Sequence, residues 1–139
     1  MIGIDSARNN SGAQTGALDP ANDMFWTWNS GYIMAKFEGA SPQSAAAGNI
    51  VKFHIGGYGG ANKTMRITNP SFNNDTAKVT TNITPEIHLS CNLLEWFSAP
   101  YVIDFSVINT AMSPGTTSNH IATNYADMFI VEHIHNNPH

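Results

Sequence analysis

The stretch that decides the fold is DSARNNSGAQTGALDPANDMFWTWNSGYIMAKFEG, residues 5–39. It opens with a polar run that is predicted to be a loop. Asp19-Pro20 then predicts a helix start, because an aspartate side chain caps free backbone amides and proline suits the first helical position. The helix is predicted to last one or two turns and to end near Trp28. Apolar and polar residues alternate over Tyr32–Glu38, which predicts a half-buried strand.

The bulk composition bounds the class of protein. The 139 residues suit a single domain, residues 1–139, with a core of its own. Charged residues make up only 12% of the chain, about half of the usual ~25%. Asparagine, threonine, serine and glycine take their place, which favours strands and turns over long helices. A net charge of −4 without a basic stripe argues against a nucleic-acid partner, and no apolar run approaches the ~20 residues of a membrane span.

Alternating apolar residues predict further strands along the chain. In a strand over 49–55, the side chains of Val51, Phe53 and Ile55 are predicted to face the core. The other predicted strands cover 64–68, 77–83, 86–91, 101–107 and 129–135, and the other predicted helical turns cover 92–97 and 118–128. Ser118 is the predicted cap of the last helix. Together these elements predict a mainly β fold, an antiparallel β-sandwich-like domain with two or three short helices.

Histidines are the candidate metal ligands, because a single cysteine, Cys91, cannot build a cysteine-based zinc cage and is itself predicted to be buried. His133 and His135 lie two residues apart on a predicted strand, so both face one side, about 7 Å apart at Cα. Two imidazoles at that spacing can converge on one ion with a third ligand from another strand. Copper and zinc both suit imidazole. The alternative is an exposed terminal strand that merely carries polar side chains.

Two other histidines lie on predicted strands. His54 precedes a run of glycines and shares a strand face with Lys52, so a solvent-facing side chain is the alternative to a metal ligand. His88 shares a face with Glu86 and Ser90, where it either supports a metal site or lies on a surface strand. No nucleophile, base and acid are grouped in the sequence, and we therefore expect a protein that is not an enzyme.

Trp26 and Trp28 are the remaining candidates for a functional site. As plain structural residues they would pin the short helix to the sheet, since each tryptophan buries a large apolar area. Their spacing alone does not decide between packing and function.

Three segments carry a resemblance to a known family. They are LDPANDMFWTWNSGY (residues 18–32), KFHIGGY (residues 52–58) and YADMFIVEHIHN (residues 125–136). In these segments the chain resembles the MbnP-like family of extracytoplasmic copper-binding proteins. The resemblance implies an exported bacterial domain, periplasmic or extracellular, that captures or carries copper without catalysis. A structural or adhesion-type extracellular β-sandwich without metal is the alternative.

The resemblance also implies roles for particular residues. It implies that His54, a histidine in the family's strand-then-glycine context, contributes to the copper site, and His133, His135 and His88 are the further candidate ligands. Some relatives carry a tryptophan that a partner di-haem enzyme oxidises to kynurenine beside the copper, which makes Trp26, slightly favoured, or Trp28 a candidate for modification.

The chain also departs from the family pattern. The family often adds a cysteine pair near the glycine turn, where this chain has Gly-Gly-Tyr-Gly-Gly over 56–60. Strands and an export signal normally precede the stretch found here close to Met1. We therefore expect this sequence to be the C-terminal portion of a longer protein that lacks its N-terminal strands.

Overall fold

A computed structural model describes residues 1–10, 13–28 and 31–138, which form six strands and three short helices. The elements are α1 (Ser6–Asn10), β1 (Phe25–Trp26), β2 (Gly31–Ala40), β3 (Ile50–Gly56), β4 (Ile83–Cys91), α2 (Glu95–Ser98), β5 (Thr110–Ala111), α3 (Thr116–Tyr125) and β6 (Phe129–Pro138). One sheet has the order β1-β2-β3-β5, and β4 and β6 form a separate two-stranded sheet, the ribbon. The predicted class, mainly β with two or three short helices, is confirmed.

The larger sheet carries the main core on β3. Its predicted inward residues Val51, Phe53 and Ile55 are all at most 2% exposed, and they pack with buried residues of α2 and α3, including Trp96 and Tyr125. Antiparallel pairing joins β1 to β2 and β2 to β3, whereas β5 runs parallel to β3. The strand predicted over 49–55 is therefore confirmed, and so is its buried face.

The prediction of a helix that ends near Trp28 is wrong. Asp19 does cap a turn, since its side chain accepts a hydrogen bond from the Ala21 amide at 2.8 Å, but the turn is a short 3₁₀ segment, Pro20–Asn22. Trp26 instead belongs to β1, where it pairs with Gly31 of β2. Pairing with a long neighbouring strand outweighs the local helix signal, because a single turn has little stability of its own.

The start of β2 is buried on both faces rather than on alternate residues. Tyr32, Ile33 and Met34 are 1%, 5% and 8% exposed. The N-terminal segment covers the second face. The Ile4 amide lies 3.1 Å from Met34 Sδ, and the side-chain oxygen of Asn9 accepts a hydrogen bond from the Tyr32 amide at 2.9 Å. The polar run before Asp19 is therefore not all loop, since it contains α1 and packs on the sheet.

Gly56 is the position where the fold leaves no room for a side chain. A Cβ built there would lie 2.5 Å from Trp26 Cζ3 and 3.0 Å from the Tyr32 carbonyl oxygen. The absence of a side chain lets the buried Trp26 ring lie directly against β3.

We expect Gly56→Ala to lower the free energy of unfolding by about 1–3 kcal/mol, the usual cost of overpacking a core. Urea denaturation of the variant measures this loss. Gly59→Ala is the matched control, because the space around Gly59 is open and its φ of −142° suits any residue. Equal stability of the two variants would contradict the tight packing of Trp26.

Several predicted elements are absent from the described residues. Residues 101–107 form no strand, because Asp104 folds the chain into a turn. Its carbonyl oxygen accepts hydrogen bonds from the Val107 and Ile108 amides, and its carboxylate accepts hydrogen bonds from Ser106. Segment 64–68 contributes only one bridge, from Arg66 to Ile2. Segment 77–83 is no strand before Ile83, and Pro85 does not interrupt β4, which runs through it.

The last helix begins earlier than predicted. It spans Thr116–Tyr125, and Ser118 is not its cap, because this side chain is buried and its hydroxyl donates to the Ser113 carbonyl at 2.7 Å. The helical spacing of buried Ile121 and Tyr125 is as predicted. Cys91 is exposed rather than buried. Within the described ranges, no helix has both the length and the apolar character that a membrane crossing requires.

The ribbon attaches to the body through β6. A bulge shifts the register after His88, so that Leu89 pairs with Val131 and Glu132 is an extra residue. This shift lets Val131 and Ile134, only 3% and 7% exposed, face the interior together. Segment 73–78 bonds to this strand, for example through the Ile134 amide and the Asp75 carboxylate at 3.2 Å.

Candidate functional site

Four polar side chains share the outer face of the ribbon. In the β4–β6 register, His88 lies opposite His133 and Glu86 lies opposite His135. Residues two apart on a strand point to the same side, and directly opposite residues on paired strands have neighbouring Cβ atoms. Pairing of two strands that are far apart in the sequence therefore gathers three imidazoles and one carboxylate.

The three imidazoles are close enough to act together. The potential ligand nitrogens of His88, His133 and His135, the histidine triad, all lie within 4.8 Å of one another. The rings of His88 and His133 stack with centroids 4.1 Å apart, and the His135 ring lies 5.0 Å from His88 and 4.8 Å from His133. Among the residues described, the triad is the one group of three or more His, Cys, Asp or Glu side chains with this geometry.

His88 carries a nitrogen that lacks a partner. Its Nε2 atom is buried and has no hydrogen bond within the described structure. Glu86 Oε1 lies only 3.3 Å away, but the orientation of the two groups does not make a hydrogen bond. A buried polar atom without a partner costs free energy, and an ion bound at this point would satisfy it.

The donor set fits a transition metal. Imidazole nitrogens that share one ion lie at most about 4 Å apart, twice the ~2.0–2.1 Å metal–nitrogen bond. Closing the triad from its present 4.8 Å spread also requires ring rotation, because the stacked rings of His88 and His133 hold their in-plane lone pairs in nearly parallel planes. Imidazole ligands suit copper and zinc. The exposed side chains of His133 and His135 leave the site open to an incoming ion.

His54 lies on the other sheet and is not part of the triad. It is only 8% exposed, so the solvent-facing alternative is wrong, and its Nε2 lies 2.7 Å from Glu38 Oε1 on the adjacent strand. That hydrogen bond is the main cause of the lowered pKa of the Glu38 carboxyl. Nearby, Lys36 forms an ion pair with Asp23, and its hydrogen bond lowers the pKa of the Asp23 carboxyl. A ligand role for His54 stays a prediction.

The two tryptophans differ sharply in exposure. Trp26 is 5% exposed and Trp28 is 64% exposed, with ring centroids 5.3 Å apart. Trp26 also lines a cavity of about 310 Å³ together with Tyr58, Pro114 and three glycines. Trp26 is therefore a packed residue that lines a cavity, and Trp28 is a mostly exposed ring beside it.

Sequence patterns identified the members of the triad but not its assembly. The His133 and His135 pair was visible as a two-residue spacing, and His88 was visible only as one strand histidine among others. Its position opposite His133 depends on the register between two distant strands, and no local pattern encodes that register.

Comparison with known proteins shows a match to a protein family. A protein-family model described as MbnP matches residues 1–119. The matched range includes His54, His88 and both tryptophans, whereas His133 and His135 lie beyond its end. No curated protein and no solved structure matches the chain.

Proposed function

Since the chain belongs to the MbnP family, which is associated with methanobactin and copper, we propose that it captures or carries copper through the histidine triad. The domain acts in this role outside the cytoplasm, in the periplasm or at the cell surface, and it performs no catalysis. His88, His133 and His135 are the ligands, and copper is cargo rather than a reagent.

One observation carries this proposal: three imidazoles from two strands bring their ligand nitrogens within 4.8 Å of one another, in a cluster where the Nε2 atom of His88 is buried without a hydrogen bond. A surface strand that merely carries polar residues has no reason to leave such an atom unsatisfied. The family supplies the preference for copper over zinc, because imidazole ligands alone suit both metals.

Elemental analysis tests the proposal. The purified chain is loaded with copper(II) or zinc(II), washed with a chelator, and analysed for bound metal. We expect about one copper ion per chain, the capacity of a single imidazole site, and displacement of zinc by copper. His88→Ala and His133→Ala are expected to lose the retained copper.

Two histidine controls make the result specific. His120 lies on α3 and stacks on Tyr101 away from the ribbon, so His120→Ala should retain copper. His54→Ala should also retain it, since His54 bonds Glu38 on the other sheet. Copper loss in His54→Ala with retention in His88→Ala would contradict the triad and return the site to the larger sheet. A wild-type chain that retains no copper would favour the metal-free structural or adhesion role.

Tryptophan oxidation is a separate part of the proposal. A di-haem enzyme that produces kynurenine would first meet Trp28, because this ring is 64% exposed. Trp26, favoured from the sequence, lies 5.3 Å from it, between ring centroids. Copper binding by the triad does not depend on this modification, since its three donors are all imidazoles.

A further inference from the structure

The ribbon leaves one edge of β4 without a neighbouring strand. Of the strands that the structure describes, only β6 pairs with β4. We propose that a second copy of this chain binds the open edge of β4, the edge away from β6, and that the two β4 strands run antiparallel about a two-fold axis at Ile87. The pairing joins two ribbons into one four-stranded sheet. It concerns assembly and does not depend on copper.

The edge of β6 is covered, whereas that of β4 is open. Segment 73–78 lies along β6, and the Asp75 carboxylate accepts a hydrogen bond from the Ile134 amide at 3.2 Å. Along β4, the described chain adds one bridge, between Thr80 and Ile83 at the start of the strand. A long open edge is where another chain can add a strand, and proteins often protect such edges with lysines or bulges. β4 has no lysine, and the bulge of this ribbon lies on β6.

The backbone of Ile87 points out of the open edge. Ile87 lies opposite Ile134, whose amide donates to Asp75 rather than to β4. In an antiparallel ladder, opposite residues that exchange no hydrogen bonds turn their backbone groups away from each other, so the Ile87 amide and carbonyl face the open edge. Pro85, two residues earlier, faces the same way, which is where a strand tolerates proline. Its missing amide removes a hydrogen bond from the proposed pairing but leaves those of Ile87.

The inner face of β4, opposite the face of the triad, is apolar and partly uncovered. Ile87 and Leu89 are exposed on this face, although the residues opposite them on β6, Ile134 and Val131, are buried. The body of the domain therefore covers the β6 side of the ribbon and leaves the β4 side open. Every second residue of β4 belongs to this face: Ile83, Pro85, Ile87, Leu89 and Cys91. In the proposed dimer these residues lie opposite one another, apolar against apolar.

The charges on β4 favour one register of the pairing. With the axis at Ile87, Glu86 of one copy lies directly opposite His88 of the other. An axis at Glu86 would set two carboxylates opposite each other, which destabilises a sheet. The axis at Ile87 also places the triads of both copies on one face of the joined sheet, with the His88 Cα atoms about 8 Å apart on the diagonal between the two strands.

Analytical ultracentrifugation of the metal-free chain tests the inference. At concentrations on the order of 100 μM we expect a monomer–dimer equilibrium. Ile87→Lys should raise the dimer dissociation constant at least about tenfold, because it sets two ammonium groups side by side at the axis. Ile130→Lys is the matched control, since it puts the same charge on an exposed isoleucine of the same ribbon, on β6 and away from the open edge. Circular dichroism checks that both variants fold.

Ile87→Cys tests the register with a variant that adds no charge. Residues at the axis form a hydrogen-bonded pair with Cα atoms about 5.5 Å apart, which is within the range of a disulfide. Treatment with oxidised glutathione should therefore link Ile87→Cys into a covalent dimer. The native Cys91 should not link the wild type, because it lies opposite Ile83 of the other copy and about 27 Å along the strands from its own counterpart.

Three results would overturn the inference. They are a dimer that Ile87→Lys leaves intact, equal losses in both lysine variants, and a failure of Ile87→Cys to link. A wild-type chain that stays monomeric would also overturn it and leave the open edge to a strand from a longer form of the protein. None of these results touches the proposed function, because the measurements are made without metal.

Discussion

Copper(II) at about a thousand times its dissociation constant is expected to raise the free energy of unfolding by about 4 kcal/mol. For a domain of this size, the melting temperature should rise on the order of 10–20 °C. The reason is the origin of the ligands: His88 belongs to β4, and His133 and His135 belong to β6. The unfolded chain cannot hold these strands together, so the ion binds the folded state and its binding energy stabilises the fold. Calorimetry with and without copper measures the effect.

The same experiment on variants identifies the source of the stabilisation. His88→Ala should melt at the same temperature with and without copper, and His120→Ala should keep the full increase. Hydrogen exchange adds a local measurement, because the backbone amides of the ribbon should gain the most protection when copper joins its strands. A copper-induced increase that survives in His88→Ala would place the stabilising ion elsewhere.

Phe53→Ala is expected to lower the free energy of unfolding by about 3–5 kcal/mol, the usual cost of truncating a buried phenylalanine. Phe53 is fully buried at the centre of β3, and its ring lies 5.6 Å from Phe97 and 5.9 Å from Phe105, between centroids. The truncation leaves a cavity where aromatic rings now meet. A typical domain has only about 5–15 kcal/mol of stability in total, so the variant should be partly unfolded at moderate temperature. Urea denaturation measures the loss.

Val107→Ala is the matched control for this truncation. It also removes an apolar side chain, but Val107 is 76% exposed, and changes at such surface positions usually stay within about 0.5 kcal/mol. Phe53 also bears on the metal site indirectly, because Phe129 at the start of β6 packs against the same core cluster. A loss in Phe53→Ala no larger than that in Val107→Ala would contradict the assignment of this core.

Local signals in the sequence predicted those features that neighbouring residues alone determine. The alternation around Phe53 fixed a strand with the correct buried face, and Asp19 caps a turn as expected. Non-local packing decided the rest. Trp26 follows a sound helix start, yet it pairs with Gly31 because β2 offers a partner strand. In the segment 101–107, strand propensity loses to the turn formed by Asp104.

The candidate site shows the same division. The spacing of His133 and His135 predicted their shared face from sequence alone, whereas the inclusion of His88 required the register of the ribbon. His54 shows the opposite case. Its neighbours in the sequence left a solvent-facing side chain open as the alternative to a ligand, but the side chain is buried, and its Nε2 atom lies 2.7 Å from Glu38 Oε1 across the sheet.

The bulge at Glu132 changes which residues of β6 share a face. In a regular strand, odd-numbered and even-numbered residues belong to opposite faces, so Val131 and Ile134 would separate. Because Glu132 is an extra residue, the alternation of faces in β6 shifts by one residue at the bulge. Val131 and Ile134 can then both face the interior, and His133 and His135 both lie on the outer face. With one residue added or lost at this point, β6 could no longer bury Val131 and Ile134 together and also keep His133 and His135 on the outer face.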